Sequence, residues 1–171
     1  MNPEISGGGQ LIDQGQHTLD LFRWFGGDLT EVMGYTDTLF WKVPVEDNVF
    51  ATFRAKAGHL CMMHMSWTEW RNLFSFEVFG DKAYVKVEGL GGSYGKEKVI
   101  RGKMDLNAPF KEEVTEFDGP DMSFHGEWKE LVAAVNENRE PQGSIQDGYA
   151  ALEATAAIYK SSKTGKAIKI G

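Results

Sequence analysis

The stretch Asn48-Val49-Phe50-Ala51-Thr52-Phe53-Arg54-Ala55-Lys56-Ala57-Gly58-His59-Leu60-Cys61-Met62-Met63-His64-Met65-Ser66-Trp67 reads as two strands and a tight turn. Residues 48–56 and 59–67 are rich in strand formers and flank Ala57-Gly58, a two-residue connection suited to a hairpin. Alternation along the second strand puts Leu60, Met62, His64 and Ser66 on one face and Cys61, Met63, Met65 and Trp67 on the other. Both faces are apolar. Helices cover one of them, and the other needs a partner, because soluble monomers avoid a large exposed apolar patch. The expectation is a homo-oligomer assembled through the sheet face.

Strand patterns continue on either side of this hairpin. Residues 30–40 read as a strand that precedes it; 73–79 and 83–88 flank the turn Gly80-Asp81-Lys82, and 97–101 and 112–117 extend an antiparallel meander. A helix follows from a Ser123 cap to about Asn138, with Phe124, Trp128, Leu131, Val132 and Val135 at helical spacing. Ser144-Ile145-Gln146-Asp147 resembles a capping box opening a second helix, which turns Leu152, Ala156 and Tyr159 inward and ends at Gly165 before a closing strand at 167–170. Pro109 and Pro120 mark loops. Grouped strands with helices at both ends of the chain predict an α+β fold, a largely antiparallel open-faced sheet with helices packed on one face.

Composition narrows the function classes. A chain of 171 residues with 42% apolar and 12% aromatic content suits one packed domain. No apolar run approaches the roughly 20 residues of a membrane span, so no membrane partner is expected. A net charge of −7 with scattered lysines disfavours nucleic acid as a partner. The single cysteine, Cys61, sits in the apolar run Leu60-Cys61-Met62-Met63 and reads as a small buried hydrophobe. With no internal disulfide to make and no secretory signal, a reducing cytoplasm fits best. One cysteine and four dispersed histidines offer no metal-ligand set: His59 reads as solvent-facing at a turn, His64 as packed in the sheet, and His125 as lying in a first helical turn.

The chemistry-bearing segment lies near the front. Gly7-Gly8-Gly9-Gln10-Leu11-Ile12-Asp13-Gln14-Gly15-Gln16-His17 leads into Thr18-Leu19-Asp20-Leu21-Phe22-Arg23-Trp24-Phe25-Gly26-Gly27, a glycine-rich approach to a short amphipathic helix. Residues at i and i+4 share a helix face, so Asp13 and His17 form a candidate proton relay, an acid beside an imidazole. The same spacing also fits Asp13 as a helix N-terminal charge and His17 as a partly buried helix residue.

The run from Gly7 to Gly27 resembles the segment that opens the substrate-domain helix of the glucose-fructose oxidoreductase and inositol dehydrogenase family (Gfo/Idh/MocA). Glu46-Asp47-Asn48, Phe79-Gly80-Asp81-Lys82-Ala83 and Tyr159-Lys160-Ser161-Ser162-Lys163-Thr164-Gly165-Lys166 agree with that family in order. The resemblance implies the C-terminal substrate and oligomerisation domain, here residues 1–171, of an enzyme whose N-terminal Rossmann domain carries Gly-x-Gly-x-x-Gly and a Glu-Lys-Pro segment. Neither motif occurs in this sequence. NAD(P) is therefore expected in the full-length parent and not on this chain, with Met1 an artificial start and the isolated chain inactive. By the same resemblance His17 is the acid/base group, or shares that task with the absent Lys, while Asp13 orients substrate and imidazole. The substrate implied is a sugar, cyclitol or nucleotide-sugar hydroxyl.

Further candidate substrate-binding residues are Gln14, Trp67, Arg71 and Tyr94. Trp67-Thr68-Glu69-Trp70-Arg71-Asn72 follows a strand end, where its tryptophans could stack on a sugar ring and Arg71 could pair with a carboxylate or phosphate; a packed, solvated connection is the plainer reading. Gly89-Leu90-Gly91-Gly92-Ser93-Tyr94-Gly95 lacks the ending and helix of a phosphate loop and reads as a hairpin connection, with Tyr94 its most useful member for a substrate. Alternatively, the chain is a non-catalytic module that binds carbohydrate weakly or dimerises; a regulator of sugar metabolism on the same fold is a third reading.

Overall fold

Strand pairing organises the molecule, a computed structural model that describes residues 2–107 and 111–171; Met1 and Pro109 lie outside the described residues. The elements run α1 (Pro3–Ser6), a π-helical turn (Leu11–Gly15), α2 (Gln16–Gly26), β1 (Leu29–Asp37), β2 (Asn48–Ala55), β3 (Leu60–Ser66), β4 (Ser75–Phe79), β5 (Ala83–Glu88), β6 (Glu97–Lys103), β7 (Glu112–Phe117), α3 (Ser123–Glu137), α4 (Ile145–Thr164) and β8 (Ile168–Lys169). Helices with open antiparallel sheets make the fold α+β. The expected meander divides into two four-stranded sheets, ordered β3-β2-β1-β8 and β4-β5-β6-β7. They belong to two compact units, Met1–Thr68 with Glu140–Gly171, and Glu69–Arg139.

In the first unit the inner sheet face and the helices α2 and α4 enclose the core. Leu19, Val32, Val49, Phe53 and Ile158 are buried, and Phe22 meets Phe53 edge-on at 5.7 Å. Each large apolar side chain of this kind contributes about 1.5–3 kcal/mol on burial. α4 begins in the expected capping box, with Ser144 Oγ accepting from Asp147 N and Ser144 N donating to Asp147 Oδ2. Its inward face differs from expectation: Ala151, Ala154, Thr155, Ala157, Ile158 and Ser161 are buried, while Leu152 is 55% exposed and Ala156 is exposed too. Apart from Ile158 this buried face is made of small residues, and α4 approaches β1 closely where Ile158 meets Gly34. A Cβ at Gly34 would stand 3.2 Å from Ile158 Cγ2 and 3.3 Å from Ala51 Cβ.

Strand β8 pairs with β1 only at Glu31 and Val32. Beyond it two serines of α4 take over the ladder: Gly34 N donates to Ser161 Oγ (3.0 Å) and Thr36 N to Ser162 Oγ (2.9 Å). Ser161 Oγ donates in turn to Lys166 O at 2.7 Å. Helix and strand are thus joined by hydrogen bonds that a side chain, not a strand, completes.

The alternation read from β3 holds. Met63 is buried on the helix side, whereas Leu60 (68%) and Met62 (79%) are exposed on the other. Register aligns Tyr35, Phe50 and His64 across β1, β2 and β3, and Met33, Thr52 and Met62 in the next row on the same face. His64 is exposed, not packed away: its ring stacks on Phe50 at 4.3 Å and 10°. The sheet therefore keeps an apolar outer face.

In the second unit, one sheet face carries Ser75, Glu88, Lys98 and Glu116 in one row and Glu77 beside Lys86 in the next. Lys86 bridges Glu77 (3.3 Å) and Glu88 (2.7 Å), and Lys98 also reaches Glu88 (2.7 Å). The other face holds Phe76, Val78, Val85, Val87 and Val99. Helix α3 starts at Ser123 as expected, but Ser123 is not its cap; Asp121 accepts from Ser123 N at 2.9 Å. The α3 stripe of Phe124, Trp128, Leu131, Val132 and Val135 is exposed.

Candidate functional site

Asp13 lies in the π-helical turn Leu11–Gly15 and His17 in the first turn of α2, so their four-residue spacing crosses the junction of two helix types. Both side chains are exposed, with no hydrogen bond or ion pair between them. A π-helical turn is rare and is found frequently at functional sites. Its carbonyl and amide pattern sets this one apart: Asp13 N donates to Gly9 O at 3.0 Å, while the amides of residues 9–11 point elsewhere.

Those amides converge on Glu46. Gly9 N and Leu11 N each donate to Glu46 Oε1 at 3.0 Å, and Gln10 N donates to Glu46 O at 3.0 Å. The first amides of a helix lack internal partners and favour a negative charge, so a remote buried carboxylate serves as the cap. Tyr159 of α4 adds a third bond to the same oxygen, its hydroxyl donating at 2.8 Å. Burial, followed by this bond to Glu46, raises the Tyr159 pKa above the ordinary tyrosine value. The approach is close: a Cβ on Gly9 would fall 2.0 Å from Glu46 O, and one on Gly8 2.5 Å from the Tyr159 hydroxyl. Gln10 Oε1 nearby is the buried side-chain polar atom without a partner among the described residues.

The next residue does the same for a different segment. Asp47 is fully buried; Oδ1 accepts from Leu39 N (2.8 Å), and Oδ2 from Phe40 N (2.9 Å) and Trp41 N (2.9 Å). Asn48 Nδ2 adds a bond to Oδ1 at 2.9 Å. Burial alone would raise the Asp47 pKa, but these donors outweigh it and hold it down at about 2. This capture also explains why β1 stops at Asp37 and not at Phe40: the amides that would extend the ladder turn to Asp47.

Of the residues singled out from sequence, Asp13, Gln14 and His17 come together on adjoining turns, with Gln14 half-buried. Trp67, in the same unit, is half-buried; its N donates to Asp47 O (2.9 Å) and its O accepts from Trp41 Nε1 (3.2 Å). Arg71 and Tyr94 belong to the second unit, Arg71 exposed and Tyr94 half-buried. In the glycine loop of that unit, Gly91 N donates to Glu97 Oε1 at 2.7 Å, and Lys96 pairs with Glu116 (2.6 Å) and Asp118 (3.3 Å). The cavity there, about 340 Å³, is lined by Glu97, Asp118 and Asp121 with Lys96, a charge balance that disfavours phosphate.

The clamping roles of Glu46 and Asp47 were missed from sequence. The signal was available: two adjacent acids between Val45 and Val49 must find donors if that segment is buried. Among the described residues no group of His, Cys, Asp and Glu is arranged to hold a metal ion, and no helix is long and apolar enough to cross a membrane.

Comparison with solved structures places this architecture. It is similar to WlbA dehydrogenase from Bordetella pertussis, solved with NADH and UDP-GlcNAcA (TM-score 0.71, 23% identity, 96% of this chain and 46% of that one). It is also similar to aldose-aldose oxidoreductase from Caulobacter crescentus, complexed with glycerol (0.80, 21%, 99% and 50%). Levoglucosan dehydrogenase with NADH and levoglucosan superimposes with a TM-score of 0.84 at 16% identity, over 99% of this chain and 52% of that one. Identities this low show the fold, and the chain spans about half the length of these proteins. No curated protein matches. The family model described as the GFO/IDH/MocA C-terminal domain matches residues 1–86, half of the sequence, and the chain belongs to that family.

Proposed function

We propose that residues 1–171 are the substrate and oligomerisation domain of an NAD(P)-dependent oxidoreductase acting on a sugar, cyclitol or nucleotide-sugar hydroxyl. The observation that carries this reading is the exposed Asp13 and His17, one turn apart on a segment whose backbone is clamped by Glu46. Two of the similar proteins named above were solved with NADH, one of them together with UDP-GlcNAcA and the other with levoglucosan, which supports the substrate class.

His17 takes the proton of the reacting hydroxyl as hydride leaves the carbinol carbon, and returns it in the reverse direction; Asp13 orients hydroxyl and imidazole. Gln14 and Trp67, in the same unit as His17, bind other hydroxyls of the substrate, while Arg71 and Tyr94 are candidate substrate-binding residues of the second unit, taken by themselves. The Gly7–Gly9 run of this chain lacks the strand-turn-helix setting of a dinucleotide fingerprint. Gly7–Gly9 follow helix α1, not a strand, and Gly9 N is committed to Glu46. NAD(P) is held by the remainder of a longer protein, whose place in the cell is the cytoplasm. Subunits associate through the apolar outer face bearing Tyr35, Phe50, Leu60 and Met62.

The test is turnover of the longer protein, carrying its nucleotide-binding domain, with His17→Ala. A loss of about 10²–10⁴-fold, typical of removing a general acid/base, is expected. Turnover kept within about tenfold would remove His17 from the chemistry.

A further inference from the structure

We infer that the cavity at the open end of the β6–β7 pair is a binding site for a small organic ammonium ion, one with a short alkyl body. The inference goes beyond the reading above and does not rest on it: the residues that line the cavity all belong to the second unit, and the Asp13 turn belongs to the first. Glu97 opens β6 and Phe117 closes β7, and the two are paired across the strands. Opposed residues of an antiparallel pair project to the same face, so a carboxylate and an aromatic ring start out side by side. Residues 91–96 ahead of β6 and residues 118–121 behind β7 close over that end and leave a cavity of about 340 Å³. Sites for small organic molecules begin at about 300 Å³.

The lining decides the sign of the ligand's charge. Glu97, Asp118 and Asp121 bring three carboxylates against the single ammonium of Lys96, which is itself divided between Asp118 (3.3 Å) and Glu116 (2.6 Å). The excess is negative, on a chain whose net charge is already −7, and both fields draw in a cation. Two of the carboxylates reach one glycine from separate loops: Glu97 Oε1 accepts from Gly91 N at 2.7 Å, and a Cβ on Gly91 would stand 3.3 Å from Asp121 Oδ2. Asp121 also accepts from Ser123 N at 2.9 Å. A carboxylate has about four acceptor positions, so these bonds leave both groups able to take an ammonium. Phe117 is a second, independent feature of the cavity wall. Its ring is 52% exposed and stacks on no other ring among the described residues. An aromatic face attracts a cation through its quadrupole and takes methylenes by contact. A bare metal ion would leave that ring idle, and among the described residues no group of His, Cys, Asp and Glu is arranged to hold one. A neutral polyol would leave the excess charge unused. An ammonium carrying a short carbon chain uses both.

The experiment is an NMR titration of the 171-residue chain with putrescine at constant ionic strength, following the amide resonances of Gly91, Gly92 and Gly95. The uncharged diol of the same carbon chain and calcium chloride are the comparisons. The expected result is a saturable shift with putrescine, with affinity on the order of 1 mM, and none with the diol. Glu97→Gln and Asp121→Asn each keep an acceptor for the neighbouring amide and lose a charge, and should weaken binding about fivefold. Phe117→Leu should weaken it about threefold. Lys96→Met removes the competing ammonium and should tighten binding; circular dichroism of each variant checks the fold. No saturable shift with putrescine overturns the proposal, as does binding that neither Glu97→Gln nor Asp121→Asn changes. Calcium binding more tightly than putrescine also overturns it and makes the cavity a metal site, and loss of binding in Lys96→Met would make it an anion site. Asp13→Asn and His17→Ala should leave the titration unaltered, which keeps this test separate from that of the Asp13 turn; loss of the glycine shifts in either variant would move the ligand out of the cavity and overturn the proposal.

Discussion

Replacing Glu46 tests whether the candidate site is held together by one side chain. Three donors, Gly9 N, Leu11 N and the Tyr159 hydroxyl, share Glu46 Oε1 at 2.8–3.0 Å. A hydrogen bond to a charged acceptor contributes about 1.5–3 kcal/mol and one to a neutral acceptor about 0.5–1.5 kcal/mol. Glu46→Gln keeps an oxygen in place and loses the charge, so each bond weakens by about 1 kcal/mol. Bonds that share one oxygen do not add fully, which puts the total at about 2 kcal/mol. For a chain of this size that lowers Tm by about 4–8 °C. Glu46→Ala strands all three donors and should cost about 4 kcal/mol or more, in the range reserved for broken buried networks. Tyr159→Phe removes a single donor, about 1 kcal/mol. The assay is denaturant unfolding of the two conservative variants and their double mutant, with amide hydrogen exchange at Gly9 and Leu11. Exchange at those two amides should speed up roughly thirtyfold in Glu46→Gln, the equivalent of about 2 kcal/mol, and the double-mutant cycle should show coupling of about 1 kcal/mol. Unchanged protection at Gly9 and Leu11, or strict additivity of Glu46→Gln and Tyr159→Phe, would refute the clamp.

Ser161 and Ser162 are neighbours that both bond β1 amides, but only Ser161 is fully buried. Ser161→Ala leaves the Gly34 amide and Lys166 carbonyl without their partner and should cost about 2–4 kcal/mol in urea unfolding, against about 0.5–1 kcal/mol for Ser162→Ala, where water can replace the hydroxyl; equal costs would contradict the burial argument. Asp47 is held near 2, below its ordinary 3.8, so it contributes stability that is present above the ordinary value and lost as pH falls through about 2. The stability gap between the parent chain and Asp47→Asn should therefore be full at neutral pH and narrow as pH drops from 3.8 toward 2; a gap that stays constant over that window would show that the carboxylate's charge does not matter. Met62→Lys places a charge on the outer sheet face and should shift the chain from oligomer to monomer in light scattering, and a parent chain already monomeric at micromolar concentration would dispose of the sheet-face interface.

The hairpin 48–67 was legible because its signals are local. Strand propensity, period-two alternation and a two-residue turn all act within a few residues, and β2 and β3 end within about two residues of where those signals place them. The capping box at Ser144 and Asp147 is local in the same way. What escaped depends on residues far apart in the chain. The end of β1 at Asp37 is decided by a carboxylate at 47, and the inward face of α4 by its packing on a distant strand, where Ile158 meets Gly34 and Ala151 and Ala154 are buried while Leu152 is exposed. The meander was read as one sheet because nothing in a strand's own pattern says whether the next strand pairs with it or starts a new sheet. At the candidate site the positions of Asp13 and His17 were legible from spacing, but the device that holds their turn was not, since its donors lie at 9, 11 and 159.

The pairing of Glu46 with Asp47 has a geometric logic. The two acids stand just before β2, Asp47 in a bend, and their donors come from different segments: those of Glu46 from the turn before α2 and from α4, those of Asp47 from the loop after β1. Two consecutive carboxylates can therefore hold two segments that never touch each other in sequence, and each carboxylate finds its donors in backbone amides that helix start and strand end leave unpaired. Substituting either acid by a residue of similar shape leaves the strand in register yet loosens only one of the two segments. The Glu46 and Asp47 variants should then separate the motions of the Asp13 turn from those of the aromatic loop: protection lost at Gly9 and Leu11 but kept at Phe40 and Trp41 in Glu46→Gln, and the opposite in Asp47→Asn. Loss at both sets of amides in either variant would mean that the segments move as one body, with the shared backbone and not the individual carboxylates as the source of rigidity.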